Sequence, residues 1–340
     1  MREPYLPERI LLTGATGTIG RLVLPALASI GAPIRALQHR TALAADVPRI
    51  EEVRHGDLAR PESIRGLADD CDVVVHAAGQ GHESLDRERA RRVNVEGTRA
   101  VLREAQSARS KVFLLLGYTG TVQERSDQTL SVNEETPPDA EYELESVRSM
   151  YEAEAMVLEA NRTGGLRTMV VSPGAILSPG IPTMLGGVVS AFLKRELPYR
   201  LLDDVWLAIS DGNDVGRCAR SAVSLGRGGR RYFATGECVR WGDLYERLER
   251  VSGVPAPRRR IPDLLVEELG LLAPVLPPHS FLRQVVFPRE LVLHLKRLAP
   301  VSNARTREDL AFEPAPLDDL LAAFARAEGL LVGRAAGVAG

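Results

Sequence analysis

Near the start of the chain the run Thr13-Gly14-Ala15-Thr16-Gly17-Thr18-Ile19-Gly20 has the spacing of a loop that can hold a phosphate. The apolar approach from Arg9 to Leu12 reads as a strand, and the residues from Arg21 onward read as a helix. In that context glycines turn the chain, let its backbone close on a pyrophosphate and bring helix and strand together. The helix N-terminus adds N–H donors and a partial positive charge. A nucleotide is therefore expected against Gly14, Thr16, Gly17, Thr18, Ile19 and Gly20. At the end of the second strand a dinucleotide fold places an acid for NAD or a base for the extra phosphate of NADP. The chain offers Gln38-His39-Arg40 there, with Arg21 nearby, so NADP is favoured over NAD and Arg40 is the expected phosphate contact; His39 reads as a solvated surface residue.

Other chemistry-bearing residues are sparse. Cys71, Cys218 and Cys238 lie far apart with no CxxC spacing, and the six histidines form no HxxxH set, so neither a metal centre nor a disulfide framework is expected. Only Lys111, Lys194 and Lys296 supply amines, which limits any chemistry that needs one.

The elements that must position these groups read as strands alternating with helices. Apolar, β-rich runs fall at 9–12, 34–37, 72–75, 111–116 and 166–171, and helical patterns at Arg21 to Ile30, Arg87 to Ala108 and Glu143 to Asn161, the first containing Pro25. Continuous apolar strands separated by helices imply a parallel sheet covered on both faces, which is a doubly wound α/β fold. After Pro173, prolines and glycines interrupt the chain and strand signals stay sparse until Arg231-Tyr232-Phe233-Ala234. The expected division is a dinucleotide-binding domain over 1–173 with a return segment near 205–240, a smaller substrate lobe over 174–204 and 241–330, and a flexible tail over 331–340. The stretch Asp263 to Leu298, rich in Leu, Val and Phe but cut by Pro274, Pro277, Pro278 and Pro288, reads as packed core or a dimer face, or as the apolar wall of a substrate pocket.

With 44% hydrophobic and 26% charged residues in 340, the chain is globular rather than disordered or fibrous. A net charge of -2 supplies no field for nucleic acid or anionic lipid. The N-terminal residues carry no apolar run long enough for a leader or a membrane span, and the cytoplasm is the expected location.

Further motifs resemble the extended short-chain dehydrogenase/reductase family, also called NAD-dependent epimerase/dehydratase, and especially its dihydroflavonol-reductase-like and hopanoid-associated epimerase-like branches. His55-Gly56-Asp57-Leu58 is similar to the family's adenine-contacting Gly-Asp-Leu, and Val75-His76-Ala77-Ala78-Gly79 to its fourth-strand segment beside the cofactor. Val93-Asn94-Val95-Glu96-Gly97-Thr98 matches the helix whose Asn supports the active site. The run from Ser172 to Gly180, with Pro173, Gly174 and Ile176, is similar to the segment over the nicotinamide, although Ser172 stands where Arg is common. Asp214-Val215, Ser302 to Arg305 and Leu310 to Pro314 extend the resemblance nearly to the end. It implies contacts at Asp57, Leu58, Ala77, Ala78, Gly79, Pro173, Gly174 and Ile176, and a homodimer through the long helices near 90–108 and 143–161.

The resemblance breaks at the proton-transfer centre. Family members carry Tyr-x-x-x-Lys, in which the Lys charge lowers the Tyr pKa. Aligned on Ala153-Glu154, this chain has Ser146 at the Tyr position and Met150 at the Lys position. Tyr118 falls at the family's Ser/Thr position, with Thr119 beside it. The expected catalytic set is Tyr118, Ser146, Thr119 and Asn94. Without a cation Tyr118 is expected near its ordinary pKa of about 10, a proton donor and a poor base, which favours carbonyl reduction. Tyr142 and Tyr151 are lesser phenols, Tyr151 being expected to pack. The resulting reading is an atypical NAD(P)-dependent reductase of a small, apolar carbonyl compound. Its alternatives are a nucleotide-binding regulatory or assembly protein without hydride chemistry, and a cofactor-assisted epimerase, dehydratase or cyclase.

Overall fold

The computed structural model describes residues 3–43, 49–81, 86–139, 141–161, 165–272 and 287–329. The expected tail, His82, His279, Pro274, Pro277 and Pro278 lie outside these residues. Ten strands are described: β1 Ile10–Thr13, β2 Ile34–Gln38, β3 Ile50–His55, β4 Val73–His76, β5 Val112–Leu116, β6 Arg167–Ser172, β7 Ala175–Leu177, β8 Trp206–Asp211, β9 Arg230–Phe233 and β10 Cys238–Arg240. The helices are α1 Thr18–Ala28, α2 Arg87–Arg91, α3 Thr98–Ser107, α4 Gly120–Gln123, α5 Glu145–Ala160 and α6 Met184–Leu193, followed by α7 Gly212–Leu225, α8 Trp241–Ser252, α9 Asp263–Gly270, α10 Arg289–Lys296, α11 Ala304–Leu310 and α12 Leu317–Ala327.

Seven strands form one parallel sheet in the order β3-β2-β1-β4-β5-β6-β9. Val73, Val74 and Val75, like Val112 to Leu114, are buried on both faces, the sequence condition for a central parallel strand. One face packs α1 and α7 over Ile10, Leu12, Val75 and Leu114. The other packs α3 and α5 over Leu11, Val74, Phe113 and Val170. This is the doubly wound, Rossmann-type α/β fold. A second sheet, β10-β8-β7, lies with α6, α8, α9, α10 and α12 around a separate apolar cluster. No helix among the described residues is long and apolar enough to cross a membrane.

Several elements differ from expectation. The stretch read as one helix from Arg87 carries a π-helical segment, Arg92–Gly97, between α2 and α3. Helix α1, by contrast, runs through Pro25 as expected, and the Pro25 carbonyl accepts from Ser29 N at 3.1 Å. β3 and β8 carry strands where the sequence signalled none. In Asp263 to Leu298, Val266, Phe287, Leu291, Val292, Leu295 and Leu298 join the core cluster, while Leu264, Leu265, Leu271 and Leu272 are exposed.

Candidate active site

In a parallel doubly wound sheet the carboxyl ends of the strands form one edge, and ligands bind in the crevice outside it where the strand order reverses. The order reverses between β1 and β4, and the loops that follow carry most of the expected residues. After β1, Gly14 adopts φ +73° and Gly17 N donates to Gly14 O at 2.9 Å. A Cβ on Gly14 would meet Ala78 N at 2.5 Å, and one on Gly20 would meet Gly14 O at 1.9 Å, so the loop closes only with glycine at both positions. Gly17 and Thr18 are exposed, Thr16 and Ile19 half-buried, and the first turn of α1 has no side-chain cap. Its N–H groups therefore remain available for an anion, and this cradle fits a dinucleotide pyrophosphate.

After β2, Arg40 is exposed; neither it nor Arg21 makes an ion pair among the described residues. His39, expected to be merely solvated, lies 3.5 Å from the Asp57 carboxylate. Asp57 accepts from Ala59 N at 3.0 Å and faces Arg60; burial opposes its charge, but the Ala59 N–H, His39 and Arg60 outweigh that and hold the carboxyl below its usual range. Leu58 is buried under Gly97. After β4, Ala77 N donates to Thr13 O, while Gly79 is exposed beside Asn94.

His76, fully buried at the end of β4, bonds Thr13 Oγ1 through Nδ1 at 2.6 Å and Thr98 Oγ1 through Nε2 at 3.0 Å. Asn94, buried in the π segment, accepts from Gln80 N at 2.6 Å and donates to Gln80 O and to Ser149 Oγ, each at 3.0 Å. Ser149 Oγ in turn donates to the Ser146 carbonyl at 2.8 Å. Asn94 thus ties the loop after β4 to the first turns of α5. The loops after β5 and β6 join where Thr119 N donates to Pro173 O at 3.0 Å; Gly174 N donates to Ser210 Oγ, and the Ile176 carbonyl accepts from Thr183 Oγ1.

Ser146, Thr119 and Ser172 are buried, and their hydroxyls find no hydrogen-bond partner among the described residues. Burying a hydroxyl unpaired costs about 1–3 kcal/mol, so each of the three is a local cost of this packing; of them Thr119 lines the cavity described below. Met150 is half-buried against the apolar cluster that contains Tyr118, Leu144 and Val147. Tyr142 donates to Thr121 O at 2.7 Å and stacks obliquely on Tyr151, which is in keeping with packing for Tyr151.

Tyr118 follows β5, and its ring lies where a Cβ on Gly120 would collide with it. Its hydroxyl is 3.2 Å from His294 Nε2, and His294 Nδ1 is 2.7 Å from Glu124 Oε2. Glu124 Oε1 accepts from Glu143 N at 2.8 Å and faces Arg297 at 3.8 Å. Backbone pairing clamps this chain: Arg125 N donates to Arg297 O, and Ala299 N to Gln123 O, each at 2.8 Å. The expectation of an ordinary pKa for Tyr118 is corrected here: burial, with the Glu124 charge adding to it, pushes the phenol well above its usual range. His294 escaped the sequence reading because it lies 176 residues from Tyr118 and sits among the leucines of α10.

Tyr118, Thr119 and Gln123 line a small, mostly apolar cavity with room for little more than one water-sized group. Ala175 and Met184, Leu207 and Ala208 of β8, and Leu295 and Leu298 beside α10 form the rest of its lining. The described parts of the apolar segment 263–298 therefore supply both core and cavity lining. No group of three or more potential metal ligands is found among the described residues.

Fold and cradle together define a Rossmann-type protein built to hold a nucleotide. A family model for the NAD dependent epimerase/dehydratase family matches residues 10–204, and the chain belongs to that family. It is 29% identical over 313 residues to sterol demethylase protein B of Methylococcus capsulatus, covering 89% of this chain and 93% of that protein. It is 28% identical to a 4-hydroxy-2-methyl-3-oxo-4-farnesyl-3,4-dihydroquinoline-1-oxide ketoreductase of Stigmatella aurantiaca, covering 78% and 75% of the two chains. The UDP-glucose 4-epimerase of Thermus thermophilus, solved in complex with NAD, superposes with a TM-score of 0.72 at 15% identity over 94% of this chain and 99% of that one, a likeness of fold.

Proposed function

We propose that this protein is an NAD(P)-dependent reductase of a small, apolar carbonyl compound, with NADP the preferred dinucleotide and Tyr118 the proton donor. The observation that carries the reading is a phenol, hydrogen-bonded to a buried histidine, in the wall of an apolar cavity. The bound dinucleotide supplies hydride; the chain's own residues bind, orient and protonate. Gly14, Gly17 and Gly20 receive the pyrophosphate, and Arg21 and Arg40 suit a ribose phosphate. The raised pKa keeps Tyr118 protonated throughout the physiological range, the state that reduction requires. Thr119 and Ser146 offer unspent hydroxyl groups for orienting a polar ligand atom. Met150, where a lysine would place a charge, leaves the cleft apolar. The names of two relatives, one a sterol demethylase protein and one a ketoreductase of a farnesyl-bearing compound, support an apolar substrate.

The test offers NADPH and NADH with cyclohexanone and acetophenone and follows loss of the reduced nicotinamide. Tyr118→Phe is expected to lower kcat by about 10²–10⁴-fold, the usual worth of a positioned acid, while dinucleotide affinity is unchanged. Tight dinucleotide binding with no turnover by the wild type would favour a nucleotide-binding protein without hydride chemistry.

A further inference from the structure

We propose that His294, held by Glu124, reloads the Tyr118 phenol with protons and so replaces the lysine that this chain lacks; the inference rests on Tyr118 being the donor. A buried phenol cannot give up its proton cheaply, because burial leaves the phenolate poorly solvated and the Glu124 charge opposes it. A cation or a second proton must meet it. None of the lysines is placed to do so. Lys111 is exposed at the amino end of β5, Lys194 lies 3.8 Å from Glu328, and Lys296 is paired with Glu267.

His294 has the geometry for the task. It is fully buried, with one ring nitrogen on the phenol and the other on a carboxylate. Neutral imidazole keeps its proton on Nδ1, toward Glu124, and Nε2 accepts from Tyr118. Imidazolium donates Nε2–H to the phenol oxygen and frees the phenol's own proton for the cavity. Among the described residues the groups facing His294 are Tyr118 after β5, Glu124 just after α4, and, through Glu124, Arg297 beyond α10 and Glu143 before α5. The Tyr142 phenol lies close enough to Glu124 to feel its charge.

The step balances. Hydride from the reduced dinucleotide forms a C–H bond at the carbonyl carbon, which is reduced as the dinucleotide is oxidised. The Tyr118 O–H bond breaks as its proton passes to the carbonyl oxygen, and the His294 Nε2 proton passes to the phenol oxygen. Neutral His294, fully buried, regains its proton between turnovers through the Tyr118 hydroxyl, which takes one from the cavity as it passes its own to Nε2. His294 and Glu124 are positioning residues, since neither touches the substrate.

The experiment measures kcat and KM for cyclohexanone with NADPH across pH, beside a ¹⁵N NMR titration of the wild-type histidines. Wild-type kcat is expected to fall with rising pH along one ionisation whose midpoint coincides with that of the His294 resonance. His294→Gln should lose about 10²-fold in kcat with KM little changed and no pH limb. Glu124→Gln should lower kcat as well, with KM little changed, because it removes the carboxylate that holds the imidazole against the phenol. A His294→Gln or Glu124→Gln enzyme with wild-type kcat, or midpoints that disagree, would overturn the relay while leaving Tyr118 as donor. The midpoint comparison uses the wild type, so it stands even if a variant fails to fold. Absence of any wild-type turnover removes the Tyr118 reading itself, and the relay with it.

Discussion

His76 and His294 are equally buried, yet their surroundings are electrically opposite. His294 faces a carboxylate, whereas the hydrogen-bond partners of His76 are the neutral hydroxyls of Thr13 and Thr98. For His76 burial is the one cause at work, and it pushes the pKa down to about 4. The unfolded chain therefore takes up a proton below its ordinary value of about 6.5 while the folded chain does not. His76 costs nothing above that pH, and its neutral form becomes a liability that grows to about 3 kcal/mol as pH falls toward 4. His76→Gln, which keeps a donor and an acceptor for the two threonines, should flatten this acid limb. Parallel Tm-against-pH curves for wild type and variant between pH 7 and 4 would refute the assignment. At this scale the sequence shows what is local. The glycine cradle is legible because its residues are contiguous. The setting of Tyr118 is not, because burial and a histidine 176 residues away are products of tertiary folding.

At the scale of elements, the loop between β1 and α1 combines two roles that substitutions can separate. Gly20 is a packing glycine, since its added Cβ would fall 1.9 Å from Gly14 O. Gly17 is exposed, has φ -76°, and an added Cβ would approach Gly14 O at 3.3 Å. Gly20→Ala should therefore lower Tm and dinucleotide affinity together. Gly17→Ala should lower affinity at least about tenfold with Tm nearly unchanged, because its cost falls on a phosphate approaching the helix terminus. Calorimetric titration with NADPH and a thermal scan decide the matter, and equal affinity in Gly17→Ala would remove the loop from the binding site. The central strands are legible from their unbroken apolar runs. β3 is not, because Ile-Glu-Glu-Val-Arg-His is an edge strand largely open to solvent and carries no continuous apolar signal. β8 was obscured by surrounding breakers, and the π segment at Asn94 leaves the spacing of apolar residues helical, so nothing in the pattern announces it.

Across the whole molecule, one buried ion pair links elements distant in sequence. Glu154 of α5 and Arg231 of β9 are both buried and in direct contact; Glu154 also accepts from Thr121 Oγ1 of α4 at 2.9 Å, and Arg231 donates to Glu134 O at 3.3 Å. The pair fixes α5, which carries Ser146 and Met150, against the last strand of the main sheet and the segment leading from Tyr118. An exposed pair such as Arg91–Glu152, at 2.9 Å, is worth at most about 1 kcal/mol, since water screens it and ordering its side chains costs entropy. Removing one partner of a buried pair leaves the other charge without compensation, at about 3–5 kcal/mol. Glu154→Gln should therefore lower Tm by roughly 5–10 °C, and Glu152→Gln by no more than about 2 °C. Because Arg231 ties β9 to the Glu134 segment as well, loss of Glu154 should loosen the crevice, lowering turnover at temperatures where the variant is still folded. Denaturation curves together with turnover measured well below Tm test this coupling. A Glu154→Gln protein as stable as Glu152→Gln would show that the buried pair fixes no part of the site.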